Sequence, residues 1–252
     1  MALMHVDYFS NVLGMCMNMD VIIPQTTSGQ IGLEGRSYGT YPTLYLLHGM
    51  SDDHTIWQRR TSIERYVTYK NIAVVMPSTH LAWYADMECG YRNYFTFISK
   101  ELPEICRGFF PRMSTKREET WIAGLSMGGY GALKTALWES GTFGKAVGLS
   151  GSYCIEAREG NPYWDSIFGK PGTRTKHTVE YAAEMLAAEE REKPEIYMAC
   201  GTEDGLIECN RKLRDFLKLK GYNVTYKEAP GCHSWEFWDT EIQPALDWLT
   251  KQ

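Results

Sequence analysis

Along this chain short apolar runs alternate with longer amphipathic stretches. The runs CMNMDVIIP (16–24), TLYLLHG (43–49), NIAVVMPS (71–78), TWIAG (120–124), KAVGLSG (145–151), EIYMACG (195–201) and NVTYKEAP (223–230) read as strands. Several of them are apolar at successive positions, as a sheet covered on both faces requires. The stretches TSIERYVTYK (61–70), 93–110, GGYGALKTALWES (128–140), LIECNRKLRDFLKLKG (206–221) and WEFWDTEIQPALDWLTKQ (235–252) predict helices, with Pro103 expected to kink or interrupt the second. The alternation predicts an α/β fold: a mostly parallel central sheet with helices on both faces. The first two strands, joined by the turn-rich QTTSGQIGLEGRSYGTYP, are expected to run antiparallel at one edge.

Two stretches break the rhythm. Residues 79–92 (THLAWYADMECGYR) form an aromatic loop after a strand, and residues 152–193 form a long excursion with a helix near TVEYAAEMLAAEEREK. Ligands of open parallel sheets bind beyond the carboxyl ends of the strands, so both stretches are placed to line a site. The 252 residues are expected to form one domain, 1–252, with the excursion near the active site.

Charge narrows the partners. A net charge of −5 argues against nucleic acid or an anionic membrane, both of which need a basic surface. No run of 18 apolar residues is present, and MALMHVDYFSNV has no basic start, so a cytoplasmic protein is expected. The seven cysteines have no C-x-x-C pair, which suits reduced thiols better than a disulfide framework or zinc site. Assembly as a homo-oligomer stays open.

The chemistry centres on Gly124-Leu125-Ser126-Met127-Gly128, a G-x-S-x-G sequence between a strand and a small-residue helix. A serine on so sharp a turn presents its hydroxyl as a nucleophile, and it needs a base and an acid to orient that base. His233 follows the last strand through a short turn and is the candidate base; His177 lies inside the excursion. Asp204, directly after EIYMACG, is the candidate acid, with Glu203 as the fallback and a helix-capping role for Asp204 as the plainer alternative. Backbone N–H groups of Met127 and Met50 are the candidate oxyanion-hole donors, and His48 is assigned a structural hydrogen bond. Trp83, Tyr84, Trp164 and Trp235 are candidate walls of a substrate pocket. SDDH (51–54) reads as a helix cap, so no metal and no cofactor are expected; Cys232 reads as a buried filler.

These residues carry a resemblance. YLLHGMSDDHTIW, VVMPSTHLAWYAD, the segment from ELPEICRGFF to AGLSMGGYGALK, CGTEDGLIECN and APGCHSWEFW resemble the tributyrin esterase branch of the esterase D-like family. That family also holds S-formylglutathione hydrolases, antigen 85-type acyltransferases and family 1 carbohydrate esterases. The resemblance implies an α/β-hydrolase fold, with Ser126, Asp204 and His233 at the family's triad positions and Met127 and Met50 at its oxyanion amides. It implies a serine carboxylesterase acting on small, short-chain acyl esters through an acyl-enzyme. Acetyl or feruloyl esters of plant saccharides are the alternative, then S-formylglutathione, then a binding protein without catalysis. S-formylglutathione hydrolases usually carry a histidine before the serine and a Thr-Cys pair after the oxyanion-loop glycine; this chain has Leu125 and MSDD.

Overall fold

The computed structural model describes residues 1–29 and 39–251. Strand β1 (Ala2–Ser10) turns at Gly14 into β2 (Met15–Ile23). Then come β3 (Thr43–Leu47), the short helices α1 (Ile56–Arg60) and α2 (Ile63–Val67), and β4 (Ala73–Pro77). One helical run holds α3 (Tyr94–Thr96), a π turn (Phe97–Glu101) and α4 (Leu102–Phe109). The second half is β5 (Thr120–Leu125), α5 (Met127–Trp138), β6 (Lys145–Leu149), α6 (Pro162–Phe168) and α7 (Val179–Ala188). It closes with β7 (Glu195–Gly201), α8 (Ile207–Leu219), β8 (Val224–Ala229) and α9 (Trp235–Thr250).

The described strands make one sheet in the order β1-β2-β4-β3-β5-β6-β7-β8. The pairs β1/β2 and β2/β4 are antiparallel and the rest parallel. Side chains alternate between two cores: Tyr45 and Leu47 of β3 pack with α4, α5, α7 and α8, whereas Leu44 and Leu46 pack with α1, α2 and α9. That two-sided burial is why the inner strands read as continuous apolar runs.

The edge differs from the sequence expectation. Strand β3 is not an antiparallel neighbour of β2; it lies inside the sheet, parallel to β4 and β5. The partner of β2 is β1, paired from Ala2↔Ile23 to Ser10↔Met15. Strand β1 shows an alternating pattern of exposed and covered residues because one face is solvated, so its apolar signal is half that of an inner strand. Part of the turn-rich link, residues 30–38, lies outside the described residues.

Pro103 interrupts a regular ladder as expected. It lacks an N–H and crowds the carbonyl four residues back, and the π turn Phe97–Glu101 absorbs the mismatch before α4 begins. The thiol expectation is corrected: Cys154 in the excursion and Cys209 on α8 are joined in a disulfide with Cα atoms 5.9 Å apart. Neither position carries a spacing motif, so only the folded geometry reveals the pair. Among the described residues, no helix is long and apolar enough to cross a membrane.

Candidate active site

The chain leaves β3 in one direction toward β4 and returns to the opposite side of β3 as β5. The carboxyl ends of β3 and β5 therefore lie at the reversal of strand order, where an open α/β sheet places its ligands. Strand β3 delivers His48-Gly49-Met50 there, and β5 delivers Ser126.

Ser126 occupies a backbone conformation that side chains rarely adopt, φ 52° and ψ −115°. Three hydrogen bonds hold it: its N–H donates to Leu149 O (2.9 Å), and its carbonyl accepts from Tyr130 N and Ser152 N, both at 3.1 Å. Such a conformation persists only where the surroundings fix it. The two flanking glycines make the turn sterically feasible. A Cβ on Gly124 would lie 2.5 Å from Gly128 backbone, and one on Gly128 would lie 2.6 Å from His48 O. From Thr120 to Leu137, Ser126 alone is not buried.

His233 Nδ1 lies 2.8 Å from Asp204 Oδ2, and its Nε2 lies 3.0 Å from Ser126 Oγ. An ionised carboxylate only accepts, so Nδ1 donates and Nε2 is left to accept the serine hydroxyl. The Asp204 side chain is fully buried while that of His233 is 37% exposed. Burial pushes the Asp204 carboxyl up, but hydrogen bonds from His233 and from Leu206 N–H outweigh it and leave the pKa lowered. The Leu206 bond also means that Asp204 does have the capping-type contact of the plainer reading, through its other oxygen. Glu203 is exposed and turned away from His233; its carboxylate accepts from Gly231 N and Thr202 Oγ1, and so braces the turn that carries the histidine. The ring of Trp238 meets the His233 ring edge-on at 4.8 Å.

Met127 is buried at the first position of α5, and Met50 is half exposed after the Gly49 turn. Neither backbone N–H donates to another described residue. His48 sets the direction of one of them. Its Nδ1 donates to Gly49 O (2.7 Å), and its Nε2 accepts from Thr79 N (3.0 Å). Carbonyl and N–H point opposite ways in a trans peptide, so gripping Gly49 O fixes where Met50 N–H points. Burial lowers the His48 pKa to about 4, which keeps this single neutral tautomer. The sequence offered a signal for this role, the His-Gly pair at a strand end, but not its geometry.

The family model "Putative esterase" matches residues 10–249. The chain belongs to this esterase family. It is 32% identical to an acetyl esterase of Caldicellulosiruptor saccharolyticus over the whole chain and 99% of that protein. Among solved structures, the fluorophosphonate-binding serine hydrolase FphF of Staphylococcus aureus superposes with a TM-score of 0.87 at 32% identity, covering 100% of this chain and 99% of that one. The S-formylglutathione hydrolase FrmB of Staphylococcus aureus gives 0.85 at 31%, covering 99% of each chain. A ferulic acid esterase at 23% identity shares the fold with a TM-score of 0.81 over 99% of this chain and 97% of that one. The esterase is thus a carboxylic ester hydrolase with the α/β-hydrolase fold.

The expected pocket walls of this esterase separate into two kinds. Tyr84 is wholly buried under α5, with its hydroxyl donating to His48 O (2.8 Å), and Trp83 is 2% exposed. Both are corrected to core residues; aromatic loops after inner strands fold back to cover the sheet. Trp164 and Trp235 are partly exposed. Trp164 packs on Trp83, and Trp235 packs edge-on against Trp57 and Trp238. Cys232 is exposed rather than buried, because the turn into α9 lifts it off the sheet. In the SDDH stretch, Asp53 Oδ1 accepts from Thr55 N (2.9 Å) and Thr55 Oγ1 (2.6 Å). Among the described residues no group of three or more His, Cys, Asp or Glu stands where it could hold a metal ion. His177, in the excursion, is buried and pairs with Glu88 of the 79–92 loop.

Proposed function

We propose that Ser126, His233 and Asp204 are the catalytic triad of this esterase and that it hydrolyses short-chain acyl esters. The observation that carries the reading is the continuous hydrogen-bonded line from a strained, solvent-reaching Ser126 through His233 to the buried Asp204. Ser126 Oγ attacks the ester carbonyl while His233 Nε2 takes its proton. The N–H groups of Met50 and Met127 receive the negative charge that forms on the carbonyl oxygen. His233 then passes the proton to the departing alcohol, leaving acyl-Ser126. Water, deprotonated by the same imidazole, releases the acid and restores the serine. Asp204 holds the imidazole in the right tautomer and stabilises its charge without itself taking the proton.

The acetyl esterase relative supports a short acyl group, since it matches along the full chain. Ser126→Ala should fold normally, lose on the order of 10⁴-fold in turnover of p-nitrophenyl acetate, and no longer label with a fluorophosphonate. A variant that kept a tenth of wild-type turnover would remove Ser126 from the role. Nitrophenyl esters from C2 to C12 test the acyl range: kcat/KM should peak at C2–C4, and a peak at C8 or longer would overturn the short-chain reading. FrmB supports a thioester as the second reading. Turnover of S-formylglutathione above that of p-nitrophenyl acetate would place it first.

A further inference from the structure

Where the excursion rises from β6 it carries an arginine, Arg158, that is tied to the Ser126 turn. The Ser152 N–H donates to Ser126 O (3.1 Å), and Ser152 Oγ accepts from Arg158 Nη2 at 2.5 Å. A single residue therefore links the guanidinium to the backbone of the proposed nucleophile. The plane is held from the other side by aromatic rings, with the Arg158 Cζ 4.7 Å from the Trp164 centroid and 5.4 Å from that of Trp83. Trp83 is fixed in turn, donating from Nε1 to Tyr163 OH (2.8 Å).

What this cation lacks is an acid. Among the described residues Arg158 makes no ion pair, and its Nε is buried without a hydrogen-bond partner. Of the carboxylates near it in the chain, Asp165 is taken by Arg174 Nη2 at 2.9 Å, Glu156 accepts from Thr175 Oγ1, and the exposed Glu159 makes no ion pair with Arg158. Arg174 is wholly buried and also donates to Gly169 O (2.8 Å) and to Arg158 O (2.5 Å), so it fixes the Arg158 backbone while occupying Asp165. A buried donor with no partner is costly, and more so on a charged group. Loss of solvent holds the Arg158 pKa below the ordinary guanidinium value. An arginine that served only to pack the excursion would be expected to meet a carboxylate or a carbonyl through that Nε.

We propose that Arg158 is a binding residue for a carboxylate on the substrate, so that this esterase selects esters bearing a negative charge near the scissile bond. Resting on the esterase reading above, this names a substrate class for the same site. The guanidinium suits a carboxylate, which can approach the outer nitrogens beside the Ser152 bond. The stack on Trp83 and Trp164 fixes the fork in advance, so little freedom is lost on binding. The carboxylate can belong to the alcohol or to the acyl part, and the two sources separate experimentally.

Two matched pairs of esters provide the test, followed by pH-stat titration. For the alcohol side the pair is 4-acetoxybenzoate and its methyl ester; for the acyl side it is monoethyl glutarate and ethyl pentanoate. Wild-type enzyme should favour the anionic member of one pair in kcat/KM. In Arg158→Gln that anionic-to-neutral ratio should fall by about tenfold to a hundredfold, the range of one charge-assisted hydrogen bond, and mainly through KM. Comparing ratios removes the intrinsic reactivity of each ester. Arg158→Lys, which keeps the charge but not the fork, should fall between. The preference should shrink as salt is raised. No preference in either pair, or an equal loss on both members in Arg158→Gln, overturns the proposal while the esterase reading stands. An enzyme that hydrolyses none of the four and takes no fluorophosphonate at Ser126 overturns the esterase reading beneath it.

Discussion

Two segments that leave the carboxyl edge of the sheet are held in place by different physics. The Ser126 turn is fixed locally, by glycines that permit close approach and by backbone hydrogen bonds to the adjoining strand and helix. The 152–193 excursion is tied within itself by Arg174, which reaches Gly169, Arg158 and Asp165, and is fixed at long range by the packing of Trp164 on Trp83 and by the Cys154–Cys209 bond. A locally fixed segment tolerates no added atom but needs no distant residue. A segment fixed at long range tolerates local change but fails when a distant anchor goes. The first arrangement suits reacting atoms, and the second suits a surface that selects what reaches them.

The sharpest way to break this contrast is on the serine side. Gly128→Ala places a Cβ 2.6 Å from His48 O and 2.7 Å from Leu47 O, both backbone. Helix α5 and strand β3 must then separate, at a cost of about 3 kcal/mol. A displacement of that size should lower turnover on the order of 10²-fold or more, through misplacement of Ser126 against Met50. Thermal unfolding and p-nitrophenyl acetate kinetics read both effects. If Gly128→Ala stays active with an unchanged Tm, the steric account of the turn is wrong.

Next in size is a pair of buried histidines, one in each region. Burial lowers the pKa of both His48 and His177 to about 4. A histidine whose folded pKa is depressed contributes stability above its unfolded value near 6.5, and that contribution drains away as pH falls toward 4. The protein should therefore lose stability between about pH 6.5 and 4, by on the order of 3 kcal/mol per histidine. His48→Gln and His177→Gln should each flatten part of that slope. At pH 7 only His48→Gln should lose turnover, by roughly 10²-fold, the scale of one misdirected oxyanion donor. Equal loss in both variants would erase the distinction between the regions.

How far the sequence reached follows the same division. The elbow, the meeting of Ser126, Asp204 and His233 and the parallel inner strands are legible because each rests on neighbours within a few residues: Gly124 and Gly128, the strand end before Asp204, the turn before His233. Strand β1 was missed because its solvated face halves the apolar signal. Trp83 and Tyr84 were placed on the pocket wall because composition shows aromatic character but not which way a loop folds. Arg158, Arg174 and the Cys154–Cys209 pair were invisible for one reason: their partners lie across loops or on other elements, where no local pattern records them.

Removing the excursion's distant anchors should have the smallest effect on turnover. Cys154 is exposed on the loop and Cys209 sits on α8, at a sequence separation of 55. Closing a loop of that length stabilises the fold by up to about 4 kcal/mol in the chain-entropy account. Neither cysteine touches Ser126, His233 or Asp204, whose hydrogen bonds run through β5, the Asp204 turn and the start of α9. Cys154→Ser should therefore lower the Tm by several degrees, as reductant should in the wild type, while turnover of a small neutral ester at 25 °C stays within about twofold. Reductant should leave the Tm of Cys154→Ser unmoved. A large loss of turnover in Cys154→Ser at a temperature where it remains folded would mean that the excursion positions the reacting atoms as well, and the two regions would have to be treated as one.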